Sequence, residues 1–195
     1  MTMDNLPVRM VRPHLNDIPD YELPLPYTIR PYQPGDETAW LDIQAAADHY
    51  NLITQPLFEA QFGCKPKMLT DRQSYLCDGA GRPIGTATAW FGEEAWQDWA
   101  RVHRVAIVPA QQGGGLAKPL LVVTCRRLRE LGHRRAYLTT ATARIPAISL
   151  YLKFGFRPDI QNEQDVDIWR GVREKVGPLA DGTDWWSVID DNQVG

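Results

Sequence analysis

The chain has 195 residues, of which 44% are hydrophobic and 23% charged, and its formal net charge is −3 at pH 7. These are ordinary values for one globular domain, so they exclude a disordered or fibrous protein. The net charge gives no electrostatic reason to expect nucleic-acid binding, and no apolar run approaches the roughly 20 residues of a membrane span. The first 26 residues contain prolines and charges in place of an apolar signal core, so we expect a cytoplasmic protein that binds neither nucleic acid nor membrane.

Two further sequence features narrow the class of protein. The cysteines, Cys64, Cys77 and Cys125, are odd in number and widely spaced. This spacing indicates neither a disulfide framework nor a zinc site, and we expect no bound metal. The sequence contains no internal repeat.

The two ends of the chain differ in composition from its centre. Residues 1–26 carry five prolines and no sustained apolar period, which predicts an extended arm that lies on the body or on a partner. Residues 27–172 form the predicted folded domain. Residues 173–195 are expected to be a tail, and the segment Asp184-Trp185-Trp186-Ser187-Val188-Ile189 within it predicts a strand or clip that packs on the domain.

The first half of the domain alternates strand and helix signals. Tyr27 to Arg30 is a β-rich run that ends at Pro31, and a helical pattern of apolar residues follows Gly35, with Asp36 as its expected N-cap. A second short helix is expected over residues 56–62. The pattern then indicates a hairpin of residues 74–77 and 83–91, joined by the glycine-containing turn 78–82.

The second half of the domain contains strand–helix units. A strand is expected over residues 102–108, a helix from the glycines at 113–115 to Gly132, a strand over 136–140, a helix over 146–154, and an extended stretch from Phe156. The complete order is β, α, α, a β-meander, β, α, β, α, β. This order predicts an α/β fold with a mixed, mostly antiparallel central sheet flanked by helices.

The turn Gly113-Gly114-Gly115 is the most informative local signal. Without Cβ atoms, three successive glycines let backbone amides converge, and the helix N-terminus adds about half a positive charge at the same point. This arrangement suits a pyrophosphate, although a flexible connection would have the same glycines. Two common phosphate motifs are excluded, because Lys118 is followed by Pro119 instead of Ser or Thr, and Lys118 occupies the place of the third glycine of a dinucleotide fingerprint.

Two motifs in this region resemble those of the GCN5-related N-acetyltransferase (GNAT) superfamily. The first is the signature formed by Gln112, Gly115 and Ala117, which follows a strand ending in Ile107-Val108-Pro109. The second is residues 147–156, whose sequence is similar to the family's helix-to-strand segment A-x-x-L-Y-x-K-x-G-F. The resemblance covers about residues 27–170 and implies the GNAT fold.

The resemblance also implies acetyl-CoA as cosubstrate and a set of binding residues. In the family, the strand backbone pairs with pantetheine, which would be the role of Ile107 and Val108 here. The pyrophosphate would lie in the turn formed by Gln112, Gly113, Gly114, Gly115, Leu116 and Ala117. Arg144 stands where many members carry an asparagine that contacts the cofactor, so this contact departs from the family pattern.

The family's reaction is the direct attack of an amine on the thioester in a ternary complex, which requires a base for the amine and an acid for the leaving thiolate. Tyr151 occupies the family's acid position, and a phenol with an ordinary pKa of about 10 is protonated at neutral pH. A tyrosine on a helix is otherwise most often a core residue. His103, Glu93, Glu94 or a water chain is the candidate base. We expect His103 to share a strand face with Val105 unless a bulge resets the alternation.

The acceptor is not identified by the sequence. Seven tryptophans are present, and Trp90, Trp96 and Trp99 flank the edge of the meander, where they would line a pocket for a small apolar or aromatic amine or belong to the core. The alternatives are a non-catalytic acyl-CoA-binding sensor module and a protein N-terminal or lysine acetyltransferase.

Five arginines lie near the end of the glycine helix, and their charges are expected to face solvent and the negative end of the helix dipole: Arg126, Arg127, Arg129, Arg134 and Arg135. The sequence also leaves open whether the protein forms a homodimer.

Overall fold

The computed structural model describes residues 5–63, 65–93, 99–179, 182, 184, 185 and 187. The helices and strands in chain order are β1 (Pro7–Arg12), β2 (Thr28–Pro31), α1 (Asp36–Ala47), α2 (Gln55–Phe62), α3 (Pro66–Arg72), β3 (Gln73–Cys77), β4 (Pro83–Trp90), β5 (Trp99–Ile107), α4 (Ala117–Glu130), β6 (Arg135–Ala141), α5 (Ile145–Lys153), β7 (Arg157–Pro158) and α6 (Glu163–Val176). The chain divides into a larger unit, residues 15–134, and a smaller unit, residues 1–14 with 135–195.

The larger unit contains a four-stranded antiparallel sheet in the order β2-β3-β4-β5. Its core is aromatic: the ring of Trp40 on α1 lies 5.1 Å from that of Phe58 and 5.5 Å from that of Phe62, both on α2, in edge-to-face contacts. All three side chains are buried. Complete burial of a phenylalanine side chain contributes roughly 1.5–3 kcal/mol, so this cluster holds α1 and α2 together within the unit.

The start of α1 differs by one residue from the prediction. Gly35 is the N-cap, with φ of 100°, and Asp36 is the first helical residue. The Asp36 carboxylate accepts a hydrogen bond of 2.7 Å from the Gln33 amide and two from the Arg30 guanidinium, of 2.6 and 2.9 Å. Asp36 therefore ties β2 to the helix start, and the positive φ explains why a glycine precedes it.

Strand β5 contains a β-bulge that positions the functional region. Gly85 and Thr86 of β4 pair with Ile107 and Ala106, but Thr88 pairs with His103, so β5 has one residue more than β4 over this stretch. Arg104 lies within the extra segment and has φ of 51°. A non-glycine residue in this left-handed region costs roughly 1–2 kcal/mol, so surrounding contacts must hold the bulge.

The smaller unit contains the antiparallel strands β6, β1 and β7, with β1 in the middle. Part of the segment expected to be an extended arm is therefore a central strand of this unit. Val8, Met10 and Arg12 alternate toward the buried face of β1. Arg12 donates hydrogen bonds to the backbone carbonyl groups of His14 and Phe154, and so caps the chain just after α5.

Helix α6 was not predicted from the sequence, and the expected boundary between residues 172 and 173 falls inside it. The Asn162 side chain caps the helix by accepting a hydrogen bond of 3.0 Å from the Asp165 amide. The buried residues Val166, Trp169 and Val172 form its apolar stripe. The ring of Trp185 packs at 6.4 Å from that of Trp169, and Trp186 and residues 188–195 lie outside the described residues.

The predicted fold class is confirmed, because both units combine antiparallel sheets with helices. The predicted hairpin, the strand before the glycine turn and the helix after it are all present. The short helix α3 was not predicted. In the described ranges, every helix is too short or too polar to span a bilayer.

Candidate active site

The glycine turn joins β5 to α4 within the larger unit. A single 3₁₀ turn, Pro109–Gln111, follows the strand, and α4 begins at Ala117. Gly113 and Gly115 have φ of 83° and 79°, so both positions require the left-handed conformation that glycine adopts without strain. Glycine is therefore favoured at these positions by the backbone conformation, and the absence of a side chain also leaves the backbone amides accessible.

Free backbone amides are the main chemical feature of this turn. In the part of the chain that the structure describes, no protein group accepts a hydrogen bond from the amides of residues 113–117. The space that a Cβ atom would enter at each of the three glycines is open to at least 4 Å. A run of amides without protein acceptors at a helix N-terminus fits a phosphate group, because the amides and the helix dipole both favour negative charge. We call residues 113–117 the amide cradle.

Two contacts on one side brace the amide cradle. The Gln112 side-chain amide donates a hydrogen bond of 2.7 Å to the Ile107 carbonyl oxygen, and the Tyr27 hydroxyl donates one of 3.0 Å to the Gln111 side chain. Leu116 is buried in an apolar cluster with Ile107 and Leu120. These contacts hold the cradle against the end of β5, and they direct the Gln112 side chain toward the strand.

The end of β5 leaves one backbone edge directed away from β4. The Val108 amide donates a hydrogen bond of 2.9 Å to the Ile84 carbonyl oxygen, whereas Ile107 stands opposite Gly85. Successive residues of a strand direct their N–H and C=O groups to opposite sides, so those of Ile107 face away from β4. A Cβ atom at Gly85 would lie 3.0 Å from the Ala106 carbonyl oxygen, which explains the glycine at this position.

His103 is buried beside the bulge, with 8% of its surface exposed. Its Nε2 atom lies 3.1 Å from Oε1 of Gln61, and its ring is 5.6 Å from that of Phe62. Burial lowers the pKa of His103 well below the ordinary value of 6.5, and the nearby charges of Arg101 and Arg104 act in the same direction. His103 is therefore neutral at pH 7. The bulge follows it directly, so simple alternation with Val105 does not apply.

This lowered pKa predicts a pH-dependent stability. Below about pH 6.5, His103 binds a proton in the unfolded chain but stays neutral in the folded chain, because its pKa is lowered only by folding. The free energy of unfolding that is present above pH 6.5 is therefore lost as the pH falls. We expect the free energy of unfolding to fall less between pH 7.5 and 5.5 in His103→Gln than in the wild type, as measured by urea denaturation. Burial also lowers the pKa of His133, so His133→Gln is the matched comparison and should reduce the pH dependence of the free energy of unfolding in the same direction. Equal pH dependence in the wild type and His103→Gln would contradict the assignment.

The rival candidates for the base are placed differently. Glu93 is exposed and forms an ion pair of 2.8 Å with Arg101. An exposed pair of this kind contributes little stability and leaves the carboxylate in contact with water. Glu94 lies outside the described residues. Among the described residues, no group of three side chains is arranged to hold a metal ion.

Tyr151 and Arg144 belong to the smaller unit. Tyr151 is buried on α5, and its ring lies 6.0 Å from that of Phe156 in an edge-to-face contact. Arg144 is the N-cap residue of α5, and its carbonyl oxygen accepts hydrogen bonds of 3.0 Å from the amides of Ala147 and Ile148. The structure thus places Tyr151 on the helix that carries the second motif and Arg144 at the start of that helix.

Most of the described tryptophans are buried or half-buried in the protein, and arginines near the end of α4 form ion pairs and hydrogen bonds within it. Trp40, Trp169 and Trp185 are buried, Trp90 and Trp99 are half-buried, and Trp96 lies outside the described residues. Near the end of α4, the Arg127 guanidinium donates a hydrogen bond of 2.6 Å to the Asp71 carbonyl oxygen and pairs with Glu130 at 3.1 Å. Arg126 pairs with Asp20 at 2.9 Å. These contacts agree with solvated charges at a helix C-terminus.

Comparison with known proteins gives the family. The model of the Acetyltransferase (GNAT) family matches residues 28–156, which is most of the chain. The chain belongs to the GNAT family. The resemblance predicted from the two motifs is thereby confirmed, and the match includes β5, the amide cradle and the Tyr151 helix.

Named relatives agree with this membership. The chain is 28% identical to a mycothiol acetyltransferase from Pseudarthrobacter chlorophenolicus, over 85% of this chain and 50% of the relative. It is 29% identical to one from Streptomyces coelicolor, over 77% of this chain and 48% of the relative. The chain thus spans about half the length of these curated relatives.

Two structures show the fold at low sequence identity. A GCN5-related N-acetyltransferase from Sphaerobacter thermophilus has a TM-score of 0.63 at 22% identity, over 80% of this chain and 50% of that chain. The ribosomal-protein-S18-alanine N-acetyltransferase from Escherichia coli has a TM-score of 0.57 at 22% identity, over 80% of this chain and 86% of that chain. At this identity, both comparisons concern the fold alone.

Gln61 and Arg104 are the residues of this region that the sequence did not indicate. Arg104 is not a residue type that predicts a positive φ, and Gln61 precedes His103 by 42 residues. Only the folding of α2 against β5 brings them together.

Proposed function

We propose that this GNAT protein is an acetyl-CoA-dependent N-acetyltransferase that transfers the acetyl group to a primary amine by direct attack in a ternary complex. The amide cradle carries the proposal: five successive backbone amides without protein acceptors, among the described residues, lie at the N-terminus of α4 directly after β5. Family membership supports the same assignment.

The proposed binding roles follow the backbone. Residues 112–117 are proposed to hold the pyrophosphate, and Ile107 and Val108 at the end of β5 are proposed to lie along the pantetheine arm. Because Gln112 is turned toward Ile107, backbone amides supply most of the attraction for the phosphates. Arg144 is proposed as a further contact on the basis of its motif position. Acetyl-CoA, when bound, supplies the thioester carbonyl that the amine attacks.

The amine side of the reaction has a large energetic handicap. An amine with a pKa of about 10.4 is neutral in only about one molecule in a few thousand at pH 7, a handicap of about 4–5 kcal/mol. His103 is neutral but binds a proton weakly, so we propose that it accepts a hydrogen bond from the amine or from a water that carries the proton away. The Ile107 amide is the proposed donor to the developing oxyanion, a contact that contributes about 3 kcal/mol in other acyl transfers.

Tyr151 is the proposed acid on the thiolate side. As the amine nitrogen bonds to the carbonyl carbon and the C–S bond breaks, the sulfur takes up a proton that the phenol can donate. This proposal is supported by the position of Tyr151 in the second motif and by its helix lying within the matched family region.

The acceptor is proposed to be a small primary amine with an apolar or aromatic part. The relatives named mycothiol acetyltransferase make a mycothiol-related amine one candidate. The half-buried Trp90 supports an apolar acceptor, because its ring lies 5.1 Å from that of the buried Phe62, whose ring is in turn 5.6 Å from that of His103. The cytoplasmic location and the homodimer stay predictions.

A panel of acceptors tests this proposal. We expect CoA release from acetyl-CoA to depend on added amine, and kcat/KM to be at least about tenfold higher for aromatic or mycothiol-related amines than for peptides, a difference of about 1.4 kcal/mol. The panel contains aliphatic, aromatic and mycothiol-related amines and peptides with free N-termini or lysines. Higher kcat/KM with peptides would make the chain a protein acetyltransferase. Binding of acetyl-CoA with no amine-dependent release would make it a sensor module.

A further inference from the structure

One carbonyl oxygen connects His103 to the bulge in β5. Oε1 of Gln61 accepts a hydrogen bond of 2.9 Å from Nε of Arg104, and the same oxygen lies 3.1 Å from Nε2 of His103. A guanidinium group can only donate hydrogen bonds, so the Gln61 atom that faces it must be the oxygen. The Nε2 atom of His103 must therefore carry the proton in this contact.

The other contacts of Arg104 keep this arrangement in place. The Gln44 side-chain amide, on α1, donates a hydrogen bond of 3.0 Å to the Arg104 carbonyl oxygen. The Arg104 guanidinium lies 3.8 Å from the carboxylate of Asp48, which is itself buried at the end of α1. Thus α1 holds the main chain of the strained residue, and α2 provides the acceptor for its side chain.

We propose that Gln61 is a positioning residue that holds His103 as the Nε2–H tautomer, so that Nδ1 is the nitrogen that accepts a proton or a hydrogen bond. Among the described residues, no side chain hydrogen-bonds to Nδ1. The inference deepens the proposed function, because it assigns the accepting atom of the base. The charged groups around His103 are Arg101 and Arg104 on β5, with Asp48 reaching Arg104 from α1.

Nitrogen NMR on the ¹⁵N-histidine-labelled protein tests the tautomer without any substrate. At pH 7.5 we expect the wild-type His103 to show a protonated Nε2 and an unprotonated Nδ1. Gln61→Met removes the acceptor at similar size and should shift His103 toward a mixture of tautomers. Gln61→Glu keeps an acceptor and adds a negative charge, so it should raise the pKa of His103 and produce the doubly protonated ring at higher pH than in the wild type.

The matched control is Gln55→Met, because Gln55 lies on the same helix but is exposed and donates its hydrogen bond to Glu59. It should leave the His103 signals unchanged. A wild-type His103 protonated at Nδ1, or identical His103 signals in the wild type and Gln61→Glu, would overturn the proposal even if Gln61→Met failed to fold.

A kinetic arm separates this inference from the proposed function. With an active acceptor, Gln61→Glu should move the acidic limb of kcat/KM to higher pH, and Gln61→Met should lower kcat/KM by about tenfold. A confirmed tautomer with unchanged kinetics would overturn the role in positioning a base while leaving the acetyltransferase assignment intact. Absence of any acetyl transfer would count against the proposed function and not against the tautomer.

Discussion

Gly115→Glu is expected to weaken acetyl-CoA binding by about 10²-fold or more. The substitution places a carboxylate beside the amides that are proposed to hold the pyrophosphate, where open space exists for a side chain. At about 5 Å and an effective dielectric constant of about 20, two like charges repel by about 3 kcal/mol, which corresponds to a 10²-fold change in Kd. Isothermal titration calorimetry with acetyl-CoA measures the change directly.

Backbone strain must be separated from this charge effect. Gly132 lies at the opposite end of α4, also has a positive φ, of 88°, and also has no atom within 4 Å of the position that a Cβ atom would take. Gly132→Glu therefore causes a similar conformational strain without approaching the cradle, and it should keep the wild-type Kd. Gly115→Ala should cost about 1 kcal/mol in stability and change Kd much less than glutamate. Equal losses of affinity in Gly115→Glu and Gly132→Glu would show that the cradle does not hold the cofactor.

Tyr151→Phe is expected to lower kcat by about 10²-fold while leaving the Kd of acetyl-CoA unchanged. The substitution keeps the ring that packs against Phe156 and removes only the hydroxyl group that is proposed to protonate the leaving thiolate. The measurement requires an acceptor for which chemistry limits the rate, which is established when kcat does not respond to added viscogen.

Tyr137→Phe provides the comparison for Tyr151→Phe. Tyr137 is a buried tyrosine on β6 of the same unit, so loss of its hydroxyl group tests stability without touching the proposed acid. We expect its melting temperature to change and its kcat to stay within about twofold of the wild type. An unchanged kcat in Tyr151→Phe would transfer the role of acid to another group or to water.

Local signals explain which parts of the fold were predictable. The run into Ile107, the stop at Pro109 and the glycines at positions of positive φ lie next to one another in the sequence, and together they predicted β5, the turn and α4. Strand β1 gave no such signal, because its buried face includes Arg12 and its neighbourhood is rich in proline. Its partners in β6 lie more than 120 residues away, so the pairing is invisible to any local pattern.

The candidate site likewise has one part that the sequence could predict and one part that it could not. The cradle could be predicted because each glycine acts through its own backbone, whereas the surroundings of His103 depend on tertiary contacts. The positive φ at Arg104 is imposed by the bulge and held by Gln44 and Gln61, which come from two different helices. No sequence pattern marks such a residue. For the same reason, the lowered pKa of His103 could be derived only after its burial was known.

Transfer of an isotope-labelled acetyl group tests the proposed reaction most directly. The protein is mixed with acetyl-CoA that carries ¹³C in the acetyl group and with the best amine of the acceptor panel, and the amine product, the released CoA and the protein are followed by mass spectrometry. Direct transfer predicts one labelled N-acetyl amine per CoA released, with no acetyl group on the protein when the amine is absent. CoA release without labelled amine, or a labelled acetyl-protein that forms first and then reacts with the amine, would contradict direct transfer in a ternary complex.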